Sequence, residues 1–198
     1  MATWIAIEGP DRVGKATQSM MLSNWLTRLG FNCKRVEVPF QDNKFGTYDK
    51  IYDMLLNGKA KSHPILFQLI QSINKFICQL YLLTCSAEII VLDRWMLSSE
   101  IYGNATGIKS WIRKLLCLPL IKPDITLVLL KDKAYQNLDE QDAYEKDMSL
   151  QKQVNKLYAD CVDNKSIIAI DADQDKVGVF NEILSELEPR LKKHNLYI

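Results

Sequence analysis

The sequence predicts an α/β fold in which helices cover both faces of a five-stranded parallel sheet. Two observations support this prediction. Short apolar runs alternate with segments of helical periodicity along the whole chain. Most of these runs are apolar nearly throughout rather than at every second position, which is typical of strands buried on both faces of a sheet. The predicted strands are 4–7, 33–38, 88–92, 125–130 and 166–170.

Helices are predicted between these strands, and their ends carry recognisable signals. The first helix follows residues 9–15 and stops at Gly30, since glycine often terminates helices. A long, largely apolar helix starts at Ser62-His63-Pro64 and reaches about Leu83, with proline in its first turn. The remaining predicted helices are 48–56, 96–102, 106–117, 149–162 and 175–191.

Length and composition favour one globular domain, residues 1–198. The chain is long enough to bury its own core, and its 47% apolar and 25% charged residues are ordinary for a soluble protein. A net charge of +1 gives no electrostatic argument for nucleic acid or a membrane as partner. The apolar runs are shorter than the roughly 18 residues of a membrane helix. The N-terminus runs directly into a strand, so we expect no signal or transit peptide.

The cysteines and histidines bear on location and chemistry. The five cysteines are scattered, form no C-x-x-C pair and have apolar neighbours. We therefore expect small buried thiols in a reducing compartment, the cytoplasm. With only His63 and His194 present, we expect no histidine-based site.

A candidate phosphate-binding loop lies between the first strand and the first helix. It reads Gly9-Pro10-Asp11-Arg12-Val13-Gly14-Lys15. The backbone N–H groups of such a loop point inward, the helix N-terminus adds positive potential, and the lysine reaches the β- and γ-phosphates of a nucleotide. The alternative is a chance glycine turn followed by a surface lysine. The strand before it and the helix after it favour a three-layer fold of the P-loop NTPase type.

Charged residues after the strands extend this site. Asp93 ends a hydrophobic strand, where a carboxylate can hold Mg²⁺ directly or through water, and Arg94 beside it can clamp a phosphate. Arg12 can reach the γ-phosphate from within the loop. The alternative for Asp93 and Arg94 is a surface ion pair that caps the next helix. Since parallel strands end at one edge of a sheet, we expect Pro39, Asp93 and Asp171 to line a shared cleft.

In its motifs the chain resembles the thymidylate kinase family, which phosphorylates dTMP with ATP. Ile7-Glu8 precedes the loop and Ala16-Thr17-Gln18 follows it, similar to the family's G-x-D-R-x-G-K-[ST]-T-Q signature. The other motifs follow in order over nearly the whole length: Asp93-Arg94-Trp95 with Ser98 and Tyr102, Lys122-Pro123-Asp124, Tyr144-Glu145 and Asp171-Ala172.

The resemblance implies roles on the ATP side of the site. Residues Gly9 to Thr17 would bind ATP, and Asp171-Ala172 would pack against its adenine. The catalytic residues would be Arg12, Lys15, Asp93 and Arg94, with Mg²⁺ held at Asp93. The lid, about residues 131–148, contains no arginine. That absence fits the subfamily whose catalytic arginine sits in the phosphate loop, here Arg12.

On the acceptor side, the resemblance implies that Phe67 stacks on the base and that Tyr102 packs under the sugar, excluding a 2′-hydroxyl. Core packing is the alternative for both rings. Asp11 would contact the sugar or its water network, and Tyr144 with Glu145 would close over it. The remaining residues implied in acceptor binding are Pro39, Phe40, Gln41, Gln71, Arg94 and Ser98.

Three positions depart from the family pattern. Ala16 replaces the serine or threonine that would ligate Mg²⁺, and Thr17 comes one residue late. Gln41 stands where the family usually places an arginine on the acceptor phosphate. Gln71 stands where an arginine usually meets the thymine carbonyl. Because a glutamine amide both donates and accepts, Gln71 also suits cytosine, adenine or a modified pyrimidine.

The leading hypothesis is a nucleoside monophosphate kinase that moves the γ-phosphate of ATP to dTMP or a related deoxynucleotide. The three departures support an alternative, a weak or inert nucleotide-binding homologue that serves in binding or assembly. A deoxynucleoside kinase is a third hypothesis, and the loop arginine and Lys122-Pro123-Asp124 favour the monophosphate kinase over it. The partners are small-molecule nucleotides. The resemblance also implies a homodimer, formed through apolar helices such as 65–83.

Overall fold

A five-stranded parallel sheet forms the centre of the computed structural model, which describes residues 2–42, 44–131, 147–162 and 167–193. The strand order is β2-β3-β1-β4-β5, and every neighbouring pair is parallel. The predicted fold class is confirmed. The strands are β1 (Thr3–Glu8), β2 (Cys33–Glu37), β3 (Ile89–Asp93), β4 (Ile125–Leu130) and β5 (Ile167–Asp171).

Helices connect the strands, and all but the four-residue α3, which was not predicted, lie close to the predicted positions. They are α1 (Lys15–Arg28), α2 (Thr47–Leu56), α3 (Lys59–Ser62), α4 (Pro64–Thr84), α5 (Met96–Ala105), α6 (Ser110–Cys117), α7 (Met148–Cys161) and α8 (Lys176–Lys193). The prediction of a helix from residue 106 is wrong at its start. Residues 106–109 form the turn that ends α5, in which the Ile108 N–H donates to the Gly103 carbonyl oxygen at 2.8 Å.

Apolar side chains pack on both faces of the sheet. Alternate residues of β1 show the division: Ile5 and Ile7 join the cluster formed with α1 and α8, whereas Trp4 and Ala6 join the cluster that includes α4. Successive side chains of a strand point to opposite faces, so the two clusters lie on opposite sides of the sheet. A third cluster fills the space between α2, α5 and α7 around Tyr158.

The register of the strands brings their carboxyl ends to one level. Asp93 of β3 pairs with Ile7 of β1 on one side and with Glu37 of β2 on the other. Two backbone hydrogen bonds of 3.0 Å extend these ladders beyond the strands, from Arg94 N–H to Ile7 O and from Val38 N–H to Asp93 O. The segments that leave β1, β2 and β3 are therefore held side by side.

Among the residues that the structure describes, no helix combines the length and the apolarity needed to cross a lipid bilayer. The five cysteines are all free thiols. Cys78 is buried as predicted, whereas the other four are half-buried because they lie at helix ends or on an edge strand.

Candidate active site

The loop after β1 depends on two glycines for its shape. Gly9 has a φ of 141°, and a Cβ atom on it would lie 2.5 Å from the Leu129 carbonyl oxygen, so a larger residue would collide with β4. Gly14 has a φ of 93° and forms the N-cap of α1 without a side-chain cap. The first amides of α1 therefore lack a capping side chain, as at helix N-termini that bind anions.

Lys15 is the buried cation of this loop. Its Nζ folds back and donates a hydrogen bond to the Pro10 carbonyl oxygen. Burial lowers the pKa of Lys15 to about 7, Arg94 contributes to the decrease, and Asp11 and Asp93 offset part of it. A phosphate near Nζ would favour the charged ammonium, so anion binding and proton binding are coupled at Lys15.

Asp11 joins the loop to helices α5 and α7. Its Oδ2 accepts hydrogen bonds from the Tyr102 hydroxyl at 2.5 Å and from Gln151 Nε2 at 3.0 Å, and its Oδ1 pairs with Arg94. Burial by itself would raise the pKa of Asp11, but the charges of Arg94 and Lys15 and the two hydrogen bonds outweigh it. The net effect lowers the pKa to about 2. Asp11 is therefore an ionised structural anchor as well as a wall of the cavity described below.

Two arginines of the site have a backbone conformation that is rare for non-glycine residues. Arg12 and Arg94 have φ angles of 64° and 66°. Such strain persists where the surroundings hold it, and it clusters at functional sites. The Arg94 guanidinium lies 5.7 Å from the centre of the Tyr102 ring. Burial would lower the pKa of Arg94, but Asp11 and Tyr102 raise it well above its usual value.

Asp93 is held by two groups that the sequence did not connect with it. Arg35 of β2 places Nη2 at 3.3 Å from Asp93 Oδ2, and its Nε donates to Ser19 Oγ at 2.7 Å. Ser19 Oγ lies 3.5 Å from the same carboxylate oxygen. Burial raises the pKa of Asp93, although Lys15 and Arg94 act in the opposite direction.

The donors around Asp93 fit Mg²⁺ with one protein carboxylate. Mg²⁺ at nucleotide sites commonly uses one or two carboxylates, and phosphate oxygens and waters complete its shell. Ala16 and Thr17 are exposed on the first turn of α1, and Ser19 Oγ, one turn further, donates to the Ala16 carbonyl oxygen at 3.1 Å. In the described ranges, no group of three or more acidic, histidine or cysteine residues could hold a metal. A magnesium ion here would complete its shell with phosphate oxygens and waters.

A cavity of about 270 Å³ opens beside the loop and beneath α4 and α5. The structure brings together in its wall many of the residues implied for acceptor binding: Asp11, Pro39, Phe67, Gln71, Arg94, Ser98 and Tyr102. Asn74 and Lys75 of α4 also line it, and neither was predicted from the sequence. The signal that could have pointed to Lys75 is a lysine in a largely apolar helix, four residues after Gln71.

Phe40 and Gln41 lie outside this wall. The Phe40 ring is 5% exposed and stacks on Tyr81, with ring centres 5.2 Å apart, so it belongs to the core rather than to the cavity. Gln41 is exposed and lines a neighbouring cavity of about 310 Å³. Tyr144 and Glu145, implied to close over the sugar, lie outside the described residues.

Glu8 positions the start of α5, a role that its place in the motif did not reveal. Its Oε1 accepts from the Trp95 N–H at 2.8 Å and from the Leu97 N–H at 3.1 Å, and its Oε2 accepts from the Ser98 hydroxyl. The Ser98 hydroxyl also lies 3.0 Å from the Tyr158 hydroxyl. Ser98 thus lines the cavity while its hydroxyl is bonded to protein groups.

The turn after β5 lies on the side of the loop opposite to the cavity. The Ala172 N–H donates to the Leu130 carbonyl oxygen at 2.7 Å, and its side chain is buried, whereas Asp171 is exposed. Gln18 Nε2 of α1 donates to the Lys176 carbonyl oxygen at 2.9 Å. This turn is therefore fixed next to the helix that follows the phosphate loop.

The sheet topology and the glycine loop after its first strand define a protein of the P-loop NTPase type. The family model for thymidylate kinase matches residues 7–183, so the chain belongs to the thymidylate kinase family. It is 30% identical to the probable thymidylate kinase of Methanosphaera stadtmanae, over 96% of this chain and 99% of that protein.

One further relative agrees with this assignment, and a solved structure has the same fold. A thymidylate kinase of African swine fever virus is 31% identical over 130 residues, which cover 65% of this chain and 52% of the viral protein. The solved structure of thymidylate kinase from Candida albicans has a TM-score of 0.72 at 22% identity, covering 98% of this chain and 93% of that one. The last comparison shows a shared fold.

Proposed function

We propose that this protein transfers the γ-phosphoryl group of ATP to the 5′-phosphate of a deoxynucleoside monophosphate, dTMP or a close relative. The products are ADP and the nucleoside diphosphate. The observation that carries the proposal is the shared wall: Asp11 belongs to the phosphate loop, pairs with Arg94, and lines the cavity together with it. Phosphoryl transfer depends on holding donor and acceptor in line and on neutralising charge, which this arrangement favours.

On the donor side, Lys15 and the N-terminal amides of α1 would hold the β- and γ-phosphates of ATP, and Asp171 and Ala172 would contact the adenine. Arg94, between loop and cavity, would clamp phosphate oxygens. We assign Arg12 the part of the catalytic arginine, as in the subfamily with an arginine in the phosphate loop. Its strained backbone inside the loop supports this assignment.

We also propose that the reaction uses Mg²⁺ held by Asp93. When bound, the ion neutralises charge on the β- and γ-phosphate oxygens. The single carboxylate and the absence of a hydroxyl at Ala16 suit a metal that enters with the nucleotide. Five free cysteines support the cytoplasm as the place of action.

We infer that the protein acts as a homodimer through α4. One face of this helix presents a row of apolar side chains with exposures between 39% and 58%: Ile65, Leu69, Ile73, Phe76, Leu80 and Leu83. Their spacing of three and four residues makes a continuous apolar strip, the pattern of helices that pair. A second copy of the chain offers the same strip, so a symmetric contact would cover both.

The dimer is tested by the molar mass in sedimentation equilibrium. We expect twice the chain mass for the wild type and the chain mass for Ile73→Glu. Met20→Glu, at an exposed apolar residue on α1, is the control and should leave the dimer intact. A molar mass equal to that of one chain for the wild-type protein would refute the dimer.

The kinase activity is tested by ADP formation with dTMP, dUMP, dCMP, dAMP and dGMP as acceptors. We expect turnover with at least one pyrimidine and its loss in Lys15→Ala. Absence of acceptor-dependent ADP with all five would reject the proposed function.

A further inference from the structure

One buried cation of the cavity has no part in the roles assigned above. Lys75 is 2% exposed and lines the acceptor cavity. It lies on α4 one turn after Gln71 and two turns after Phe67, and both of these also line the cavity. Residues four apart share one face of a helix, so the three form a single row. A fully buried lysine is rare and calls for a partner.

The described residues supply few hydrogen-bond acceptors for this ammonium group. An ammonium has three donors, and within the described residues the hydrogen bond of Lys75 Nζ goes to Ser99 Oγ. Burial lowers the pKa of Lys75 to about 8, and the charge of Glu8 limits the decrease. The oxygens of Glu8 are already bonded at the start of α5. At neutral pH a residue of the cavity wall therefore carries a charged donor with capacity to spare.

Gln71 by itself cannot decide which base enters. A glutamine amide can turn so that it pairs with the oxo edge of thymine or uracil, or with the amino edge of cytosine. Lys75 differs because an ammonium donates only. A carbonyl oxygen next to Nζ gains a charged hydrogen bond, whereas an amino group in the same place meets a second donor.

We propose that Lys75 is a specificity-determining residue for the acceptor base: with the pyrimidine on Phe67 and its edge paired with Gln71, Nζ donates to the carbonyl oxygen at C4. This inference rests on the proposed function. Thymine and uracil offer this donor an acceptor, whereas cytosine places its own amino group, a second donor, against it. Discrimination of this kind is large because the mismatched donors are buried.

Base selection is measured as binding, without ATP and without turnover. Calorimetry gives Kd values for dTMP and dCMP with the wild type, Lys75→Met and the control Lys50→Met, an exposed lysine on α2. We expect the wild type to favour dTMP by at least about 10-fold. Lys75→Met should reduce that ratio by roughly 10-fold or more, mainly through weaker dTMP binding, because a hydrogen bond to a charged group is lost. Lys50→Met should match the wild type.

A change in the ligand tests the same contact without any variant. The deoxynucleotide of pyrimidin-2-one carries no substituent at C4, and it should bind the wild type at least about 10-fold more weakly than dTMP. Equal binding of the two ligands, an unchanged ratio in Lys75→Met, or a wild-type preference for dCMP would each overturn the role of Lys75. The kinase assay distinguishes this inference from the proposed function. If the wild type phosphorylates dTMP and dCMP equally well, only the role of Lys75 is refuted. If the wild type binds no deoxynucleotide, the proposed function is refuted as well.

Discussion

The Tyr102 hydroxyl donates a hydrogen bond of 2.5 Å to Asp11 Oδ2. Tyr102 lies on α5 in the wall of the acceptor cavity, and Asp11 lies in the phosphate loop. Arg94 completes the connection, since it pairs with Asp11 and lies over the Tyr102 ring. The two proposed nucleotide sites are therefore joined by a partly buried charged contact, and we expect this contact to set the position of one bound phosphate group relative to the other.

Removal of this hydroxyl tests that coupling. Tyr102→Phe keeps the ring in the cavity but takes a donor from the Asp11 carboxylate. Since a hydrogen bond to a charged group contributes about 1.5–3 kcal/mol, we expect kcat with dTMP to fall roughly 10-fold or more. The KM for dTMP should change by less than about 3-fold, because the stacking surface remains. Steady-state kinetics with dTMP measure both parameters. The control is Tyr48→Phe, since Tyr48 lies on α2 outside this cavity. Equal kcat values for the two variants would contradict the coupling.

Lys15 should take up a proton when ATP binds. Because its pKa in the free protein is about 7, most Lys15 side chains are neutral at pH 8. The phosphates of ATP favour the ammonium and raise that pKa, so binding at pH 8 should take up about one proton per ATP, and far less at pH 6. The dependence of the calorimetric enthalpy on the ionisation enthalpy of the buffer reports this number. A wild type without buffer dependence at pH 8 would show that Lys15 does not meet the phosphates, and Lys15→Met gives the baseline.

Arg12 is expected to act in the transfer step. Arg12→Ala should lower kcat by roughly 10³-fold, the scale of arginine fingers, with a much smaller effect on the Kd of ATP. Single-turnover rates at saturating ATP measure the effect. Arg28→Ala, at the exposed end of α1, is the control. A loss below about 10-fold would assign the catalytic charge to another cation.

Arg35 should compete with Mg²⁺ for the Asp93 carboxylate. Its Nη2 is 3.3 Å from Asp93 Oδ2 in a single long contact between side chains that are 25% and 5% exposed, so we expect the pair to contribute about 1 kcal/mol, the upper end of the range for exposed pairs. Arg35→Met should therefore lower the Mg²⁺ concentration for half-maximal ATP binding by about 2- to 5-fold. Titration of ATP binding with Mg²⁺ measures the shift. A higher Mg²⁺ requirement in the variant would mean that Arg35 supports the metal site.

Lys75 should reduce stability while it provides selectivity. Its pKa of about 8 lies below the usual 10.5, so the buried ammonium destabilises the fold fully below pH 8, and the cost fades as pH rises toward 10.5. Lys75→Met should raise the free energy of unfolding at pH 7 by about 1–3 kcal/mol, as buried charges replaced by apolar groups often do. The gain should shrink by pH 10. Urea unfolding at both pH values checks this; a variant less stable than the wild type at pH 7 contradicts it.

The sequence predicts the sheet and the loop because both depend on local patterns. The strand at 125–130 is apolar except for Thr126, and the loop is marked by Gly9, Gly14 and Lys15 at fixed spacing. The contact between Arg35 and Asp93 could not be predicted from local patterns. It depends on the register of β2 on β3, which brings the two residues together. The resemblance implied that Phe40 takes part in acceptor binding, but its ring stacks on Tyr81 and packs in the core.

Lys75 was missed for a different reason. A lysine in a helix usually lies on the solvent side, and α4 is apolar enough to leave its orientation open. Its burial is decided by α5, which covers this face of α4 and supplies Ser99. Tertiary contacts of this kind cannot be read from periodicity alone.

The most direct test of the central claim follows the phosphoryl group itself. Wild-type protein is mixed with ATP labelled at the γ-phosphate and with dTMP, and the products are separated. We expect the label to appear in dTDP in an amount equal to the ADP formed, and we expect Lys15→Met to leave it in ATP. Label found only in inorganic phosphate, or ADP formed without labelled dTDP, would contradict it.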